Sequence, residues 1–318
     1  MINLLKSVKE DPEAGYWFDT ALSRSDIIQL DPETGGSPKK FKSEKQNKES
    51  RALTKGIAFH EYVLEPAKFK AATYNRPSAK LGEVADAMVK LCMAGTAAPD
   101  TQTFENLCKE LNYGQSWTAA TRLSKFRDAF GFDYLLERVK HPDMHWVTQE
   151  EIDQFEITKE SLDNHSFASE LLSKCTEKEV ILKFEINGIE CKARLDMLEM
   201  SEDRVIVPDL KTTSQSAWDP YFIKKYGVDF QAAWYRRAAL AEHARRYPGK
   251  TPQVIECYTI LAELTPIAET VVYKLSNEKL NEQDAKIDSL INRYKFHMEH
   301  GFDYSMEELM NENRFLTY

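Results

Sequence analysis

Residues 179–211, EVILKFEINGIECKARLDMLEMSEDRVIVPDLK, constrain the fold more than any other stretch of the chain. Residues 179–186 are crowded with Val, Ile, Leu and Phe, which suit a pleated, half-buried surface. Asn187-Gly188 follows, and Asn-Gly between two apolar runs predicts a tight hairpin. Residues 189–197 return with alternation, which puts Cys191, Ala193 and Leu195 on one face and Lys192, Arg194 and Asp196 on the other. The acidic stretch 199–203 makes the next turn, and Val205, Ile206 and Val207 restart a strand that ends in Pro208-Asp209-Leu210-Lys211.

The end of that strand carries the chemistry. Asp209 and Lys211 are two apart, so both side chains leave the same face while Leu210 leaves the other. Asp196 ends the neighbouring strand and is expected beside Asp209. Two adjacent carboxylates repel and are costly unless a cation holds them together. A hard divalent ion with oxygen ligands is the natural occupant, and magnesium is usually held by one or two carboxylates plus a substrate phosphate. Lys211 suits the attacking water or the charge that builds on a phosphate oxygen.

Asp196 followed by Pro208-Asp209-Leu210-Lys211 resembles the D…(D/E)xK core of the PD-(D/E)xK nuclease superfamily. The wording KARLDML, PDLKTT and DFQAAWY is similar to that of RecE-type (exonuclease VIII-like) phage and prophage exonucleases, relatives of the RecB nuclease domain. GIAFHEYVLEP at residues 56–66 and a glutamate at the start of the first core strand extend the resemblance, which runs from about Leu22 to His300. It implies an α/β fold: a mixed central β-sheet flanked by helices, with a large helical insertion. It also implies that His60, Asp196, Asp209, the Leu210 carbonyl and Glu179 (with Glu185 as a substitute) hold Mg2+ or Mn2+. Lys211 would act on the water, and Gln231 and Tyr235, four apart on one helix face, would position substrate or the lysine. The implied reaction is digestion of double-stranded DNA from a 5′ end, leaving a 3′ single strand for recombination. Implied partners are DNA ends, further copies of the chain in a ring (trimer or tetramer), and a single-strand annealing protein.

Composition bears on partners and compartment. The net charge of −9 argues against a nucleic-acid ligand at first sight, but acidic metal ligands and an acidic exterior can mask a local basic lining. Lys39, Lys40, Lys42, Lys45 and Lys48 form one candidate patch, and Arg236, Arg237, Arg245 and Arg246 another; each reads equally well as a solvated face. The candidate DNA contacts are Lys39, Lys40, Lys42, Arg194, Thr212, Thr213 and Arg236. Cys92, Cys108, Cys175, Cys191 and Cys257 form no C-x-x-C pair, so no zinc site, disulfide framework or iron–sulfur cluster is expected. No apolar run reaches membrane-spanning length and the N-terminus turns acidic early, so a cytoplasmic protein without membrane contact is the expectation.

The remaining pattern predicts a single nuclease domain over 1–318. Its parts are an N-terminal arm and mobile basic loop (1–50), a helix bearing His60 (51–70) and a helical insertion (71–174). The catalytic sheet and helices (175–300) and a tail (301–318) follow. Helical spacing covers 81–93, 117–140 and 150–174, more weakly 104–111, and then 228–246 and 280–299; strands are expected at 252–262 and 269–275. Three other readings compete: a RecB- or Cas4-like nuclease of different polarity or endonuclease action, a DNA-binding relative without catalysis, and a metal enzyme for a small phosphorylated molecule.

Overall fold

The computed structural model describes residues 16, 19–43, 51–73, 76–95, 100–142 and 144–311. They divide into two compact units, Ser50–Glu156 and a second one drawn from Met1–Glu49 and Ile157–Tyr318.

The first described helix, α1 (Arg24–Ile27), starts at a capping box, with the Ser23 N–H donating to Asp26 Oδ2 at 2.8 Å. The stretch expected to be a mobile loop is folded as far as Ser43. Asp31 caps a 3₁₀ turn by accepting the Glu33 N–H at 3.0 Å, and Ser37 caps α2 (Pro38–Lys42) by accepting the Lys40 N–H at 3.2 Å. Gly, Pro and Lys gave this segment a loop-like composition, but Asp and Ser at the caps supply the acceptors a short helix needs. Lys45 and Lys48 lie outside the described residues.

The Ser50–Glu156 unit is helical: α3 (Arg51–Leu64), α4 (Ala79–Met93), α5 (Thr101–Glu110), α6 (Ala119–Asp128) and α7 (Gly131–Lys140). A short parallel pair, β1 (Ala71–Ala72) and β2 (His145–Trp146), joins the segment before α4 to the segment after α7. Val84, Met88, Phe104, Phe126 and Leu135 form its core, with the Phe104 and Phe126 rings 4.8 Å apart. The single helix expected over 117–140 is broken at Phe130, whose φ is +55°. A Cβ at Gly131 would lie 2.4 Å from the Phe126 ring, so the break lets backbone pack against that ring.

The helix α8 (Gln149–Asn164) begins in this unit and ends in the other; α9 (Ser166–Lys174) follows it. They are separate because His165 Nδ1 accepts the Ala168 N–H at 3.2 Å and caps α9. The sheet then forms from β3 (Glu177–Ile186), β4 (Ile189–Met200), β5 (Arg204–Thr213), β6 (Val254–Glu263) and β7 (Thr270–Lys274). Its order is β3-β4-β5-β6-β7, and only the β5–β6 pair is parallel. The Asn187-Gly188 hairpin stands as expected, with φ +51° and +81°. Between β5 and β6 run α10 (Tyr221–Lys225) and α11 (Val228–Arg246); α12 (Asn277–His300) and α13 (Met306–Met310) close the chain.

The core lies between the sheet and helices α11 and α12, with Leu195, Val205, Phe230, Trp234, Ile287 and Ile291 fully or almost fully buried. Trp234 anchors it: its indole N–H donates to the Lys192 carbonyl at 3.1 Å and its ring meets Phe184 edge-on at 5.5 Å. The face of β4 opposite Leu195 is covered as well, and Lys192 is buried. Its ammonium donates to the carbonyls of Tyr16 and Asp19 at 2.6 and 2.7 Å, while Leu22 pairs with the edge of β4. None of the described helices is long and apolar enough to cross a membrane.

Candidate active site

The strand β5 turns Asp209 and Lys211 toward α11. Lys211 Nζ lies 2.8 Å from each Asp209 oxygen, and Gln231 Nε2 donates to Asp209 Oδ1 at 3.2 Å. The same amide donates to the Tyr235 hydroxyl at 2.7 Å, so the two residues act as one hydrogen-bonded pair over the aspartate. Asp209 is 4 % exposed, and this fixes its carboxylate in orientation as well as in place.

The sheet parts beside these residues. The strands β4 and β5 pair only at Glu199↔Ile206 and Met200↔Val205, next to their turn. Continuing that register sets Asp196 opposite Asp209. There the Asp196 carboxylate, not a backbone carbonyl, accepts the Leu210 N–H at 2.9 Å. A side chain thus stands in for the ladder, and the sheet opens where the carboxylates gather.

The strand β3 contributes Glu179. The pairs Lys178↔Met197 and Val180↔Leu195 bracket it and put it opposite Asp196. Its φ of +50° is a left-handed conformation that a non-glycine residue adopts at a cost, as functional side chains often do. Carboxylate oxygens of Glu179 and Asp196 come within 4.8 Å of one another, and Arg194 Nε donates to Glu179 Oε2 at 2.5 Å.

Burial and charge set the protonation of the site. Burial is the strongest influence on Lys211 and pulls its pKa down, but Asp209 and Asp196 together outweigh it, so the pKa is raised and the side chain is an ammonium. Burial, then Asp196 and Asp209, push the Tyr235 phenol well above its usual range, which keeps it a neutral hydroxyl. These hard, anionic oxygen donors suit a magnesium or manganese ion, so the residues fit such a metal. His60, the remaining ligand implied by the resemblance, is half-buried on α3 in the Ser50–Glu156 unit, next to buried Ala58 and Phe59.

Several expected DNA contacts have other partners. Arg236 is 7 % exposed; it donates to Asn281 Oδ1 at 2.8 Å and pairs with Asp284 on α12. Arg237 takes both carboxylate oxygens of Asp288, at 2.6 and 2.9 Å, and Arg245 and Arg246 pair with Glu242. Each of the four arginines of this patch on α11 is therefore engaged in an ion pair, and Arg236 is buried as well. Arg194 is engaged with Glu179, and Thr213 is buried with its hydroxyl accepting the Gln215 N–H at 2.9 Å, while Thr212 is half-buried. Lys39, Lys40 and Lys42 are exposed on α2, although Lys40 donates to the Gly35 carbonyl and Lys42 lies 4.9 Å from the Phe302 ring centre. Replacing Arg236 by Met is expected to lower stability by about 1–2 kcal/mol, because Asp284 loses a charge-assisted hydrogen bond but keeps Arg237 Nε at 2.8 Å. The salt dependence of DNA binding should stay at the wild-type slope, as titration of a labelled duplex at several salt concentrations would show.

Arg24 belongs to the site although the pattern of residue types did not mark it. Burial lowers its pKa, while the Asp209 and Asp229 carboxylates favour its charged form, so it stays a cation within electrostatic reach of the aspartate. The available signal was the capped LSRSDI segment in which it sits.

No curated protein is similar to this chain in sequence. Among solved structures, a candidate exonuclease from Eubacterium rectale is similar over 78 % of this chain and 95 % of its own, with a TM-score of 0.37 and 15 % identity. The protein SSO0001 is similar over 65 % of this chain and 85 % of its own, with a TM-score of 0.23 and 13 % identity. The family model of the PDDEXK-like domain of unknown function (DUF3799) matches residues 36–306, and the chain belongs to that family.

Proposed function

We propose that the chain is a metal-dependent exodeoxyribonuclease that digests linear double-stranded DNA from its 5′ ends and leaves 3′ single strands for recombination. The observation that carries this reading is the cluster of Asp196, Asp209 and Lys211 with Gln231 and Tyr235, held where the sheet parts. Membership in a PDDEXK-like family supports the nuclease class. Polarity, a ring of several copies, hand-over to a single-strand annealing protein and a cytoplasmic setting rest on the resemblance to RecE-type exonucleases.

Asp196, Asp209, the Leu210 carbonyl and Glu179 would hold the metal; His60 is added to them by the resemblance to RecE-type exonucleases. A metal held there would lower the pKa of a water and offset charge on the phosphate. Gln231 and Tyr235 keep the Asp209 carboxylate in one orientation. Lys211, as an ammonium, hydrogen-bonds the attacking water or the developing negative charge and does not itself take up a proton. For Glu179 to serve as a ligand, Arg194 must share its carboxylate or release it.

The test is digestion of linear duplex labelled at the 5′ or the 3′ end, with magnesium or EDTA, beside a closed circular duplex. Magnesium-dependent loss of the linear form, with early release of the 5′ label and an intact circle, is the expected result. Cutting of the circle would replace the exonuclease by an endonuclease. Binding of DNA without cleavage of either form would leave a non-catalytic relative.

A further inference from the structure

Beyond the residues already assigned to the chemistry, the geometry points to Arg24 as a positioning residue that holds the start of α11, and through Gln231 the orientation of Asp209. The inference rests on the nuclease reading for its effect on rate, but not for its structural part.

The chain of contacts is short. Arg24 Nη2 donates to the carbonyl oxygens of Tyr226 and Gly227 at 3.2 and 3.0 Å. The Gly227 oxygen also accepts the backbone N–H of Gln231 at 3.1 Å, the first bond of the α11 ladder. Arg24 and Gln231 therefore share one acceptor, and the Gln231 side chain continues to Asp209 and Tyr235. Four residues thus connect a helix near the N-terminus to the carboxylate.

The sequence on both sides fits this role. Gly227 has a φ of +60°, and a Cβ there would lie 2.8 Å from Arg24 Nη2, so glycine supplies both the backbone conformation and the room for the guanidinium. On the other side the Ser23–Asp26 capping box fixes the backbone from which Arg24 departs. An arginine is suited here because its planar fork reaches two carbonyls from one nitrogen while staying charged. The first turn of α11 has no side-chain cap at Gly227; Arg24 does not replace one, because it donates to the Tyr226 and Gly227 carbonyls, and it acts by holding those carbonyls in place.

The test combines Arg24→Met, Arg24→Lys and Gly227→Ala with a Gln231→Ala background. Amide hydrogen exchange of residues 227–234 needs no DNA, and so separates this inference from the nuclease reading. Arg24→Met should speed exchange in that turn by about tenfold and leave the β3–β4 hairpin unchanged, with Arg24→Lys restoring most of the protection. Cleavage should fall about tenfold in kcat with KM within about twofold. In the Gln231→Ala background the same change should cost less than about twofold, because the pathway it acts through is gone. Gly227→Ala reaches the contact from the helix side and keeps the test open should Arg24→Met misfold. Unchanged exchange, an equal loss of kcat in both backgrounds, or a rise in KM alone would overturn the proposal; the last would make Arg24 a substrate contact. If the wild-type chain cleaves no DNA, the exchange result still decides the positioning role and only the nuclease reading falls.

Discussion

Asp209→Asn is expected to remove DNA cleavage on the order of a thousandfold or more while leaving the fold intact. The change keeps the shape and the hydrogen bonds that a carboxamide can still accept, and removes one charge from the donor set. Without metal it should cost about 1–3 kcal/mol, because the Lys211 ammonium loses its paired carboxylate, and the stabilisation that metal gives should be lost as well. An ion that binds the native state at 100 times its dissociation constant adds about 2.7 kcal/mol, which for a unit of this size is a rise of about 5 °C in melting temperature. Wild-type protein should show that rise with manganese or magnesium. The asparagine variant should melt at the same temperature with and without the ion. A full rise in the variant would show that Asp209 is not a ligand, and the loss of cleavage would then need another cause.

Lys211→Met should lower kcat by about a hundred- to a thousandfold, the cost of removing one preorganised donor to a developing charge. Its signature in binding should be the opposite of the aspartate variant. The ammonium sits 2.8 Å from both Asp209 oxygens, so an incoming cation must displace it or share those oxygens with it. With methionine in its place the metal should bind at least as tightly as in the wild type. Without metal the variant leaves buried Asp209 and Asp196 uncompensated, at a cost of about 3 kcal/mol. Metal should restore that loss, so the melting temperature should rise by more than in the wild type. Calorimetric titration with manganese and paired melting curves check both points. Weaker metal binding in Lys211→Met would contradict the view of the lysine as a competitor for the carboxylate.

These residues were legible because their signals are local. Alternation and Asn187-Gly188 set the three strands, two-residue spacing put Asp209 and Lys211 on one face, and four-residue spacing paired Gln231 with Tyr235. The sheet flanked by helices stands as expected. What escaped the sequence depends on distant partners. Arg236 and Arg237 read equally as a DNA-facing patch or a solvated face because the aspartates that neutralise them, Asp284 and Asp288, stand on α12, some fifty residues further along. Arg24 is illegible for the same reason, since its acceptors are backbone carbonyls that lie 202 and 203 residues away. The left-handed backbone of Glu179 has no signature in residue type at all. In the segment after Asp31, composition outweighed capping chemistry, and the caps decided the structure.

The pairing of Leu22 with β4 also bears on the order in which the chain can fold. Leu22 bridges to Cys191, 191 − 22 = 169 residues later, and the Ser50–Glu156 unit lies wholly inside that span. Closing a flexible loop of this length costs about 4.5 kcal/mol in lost chain entropy, by the three-halves RT ln n scaling. If the contiguous helical unit folds first, the flexible part shortens by its 156 − 50 + 1 = 107 residues and the cost falls by about 1 kcal/mol. During synthesis the helical unit is complete before β4 exists, whereas the sheet must wait for its final strands. The segment around Leu22 is therefore made before the helical unit and docked after it.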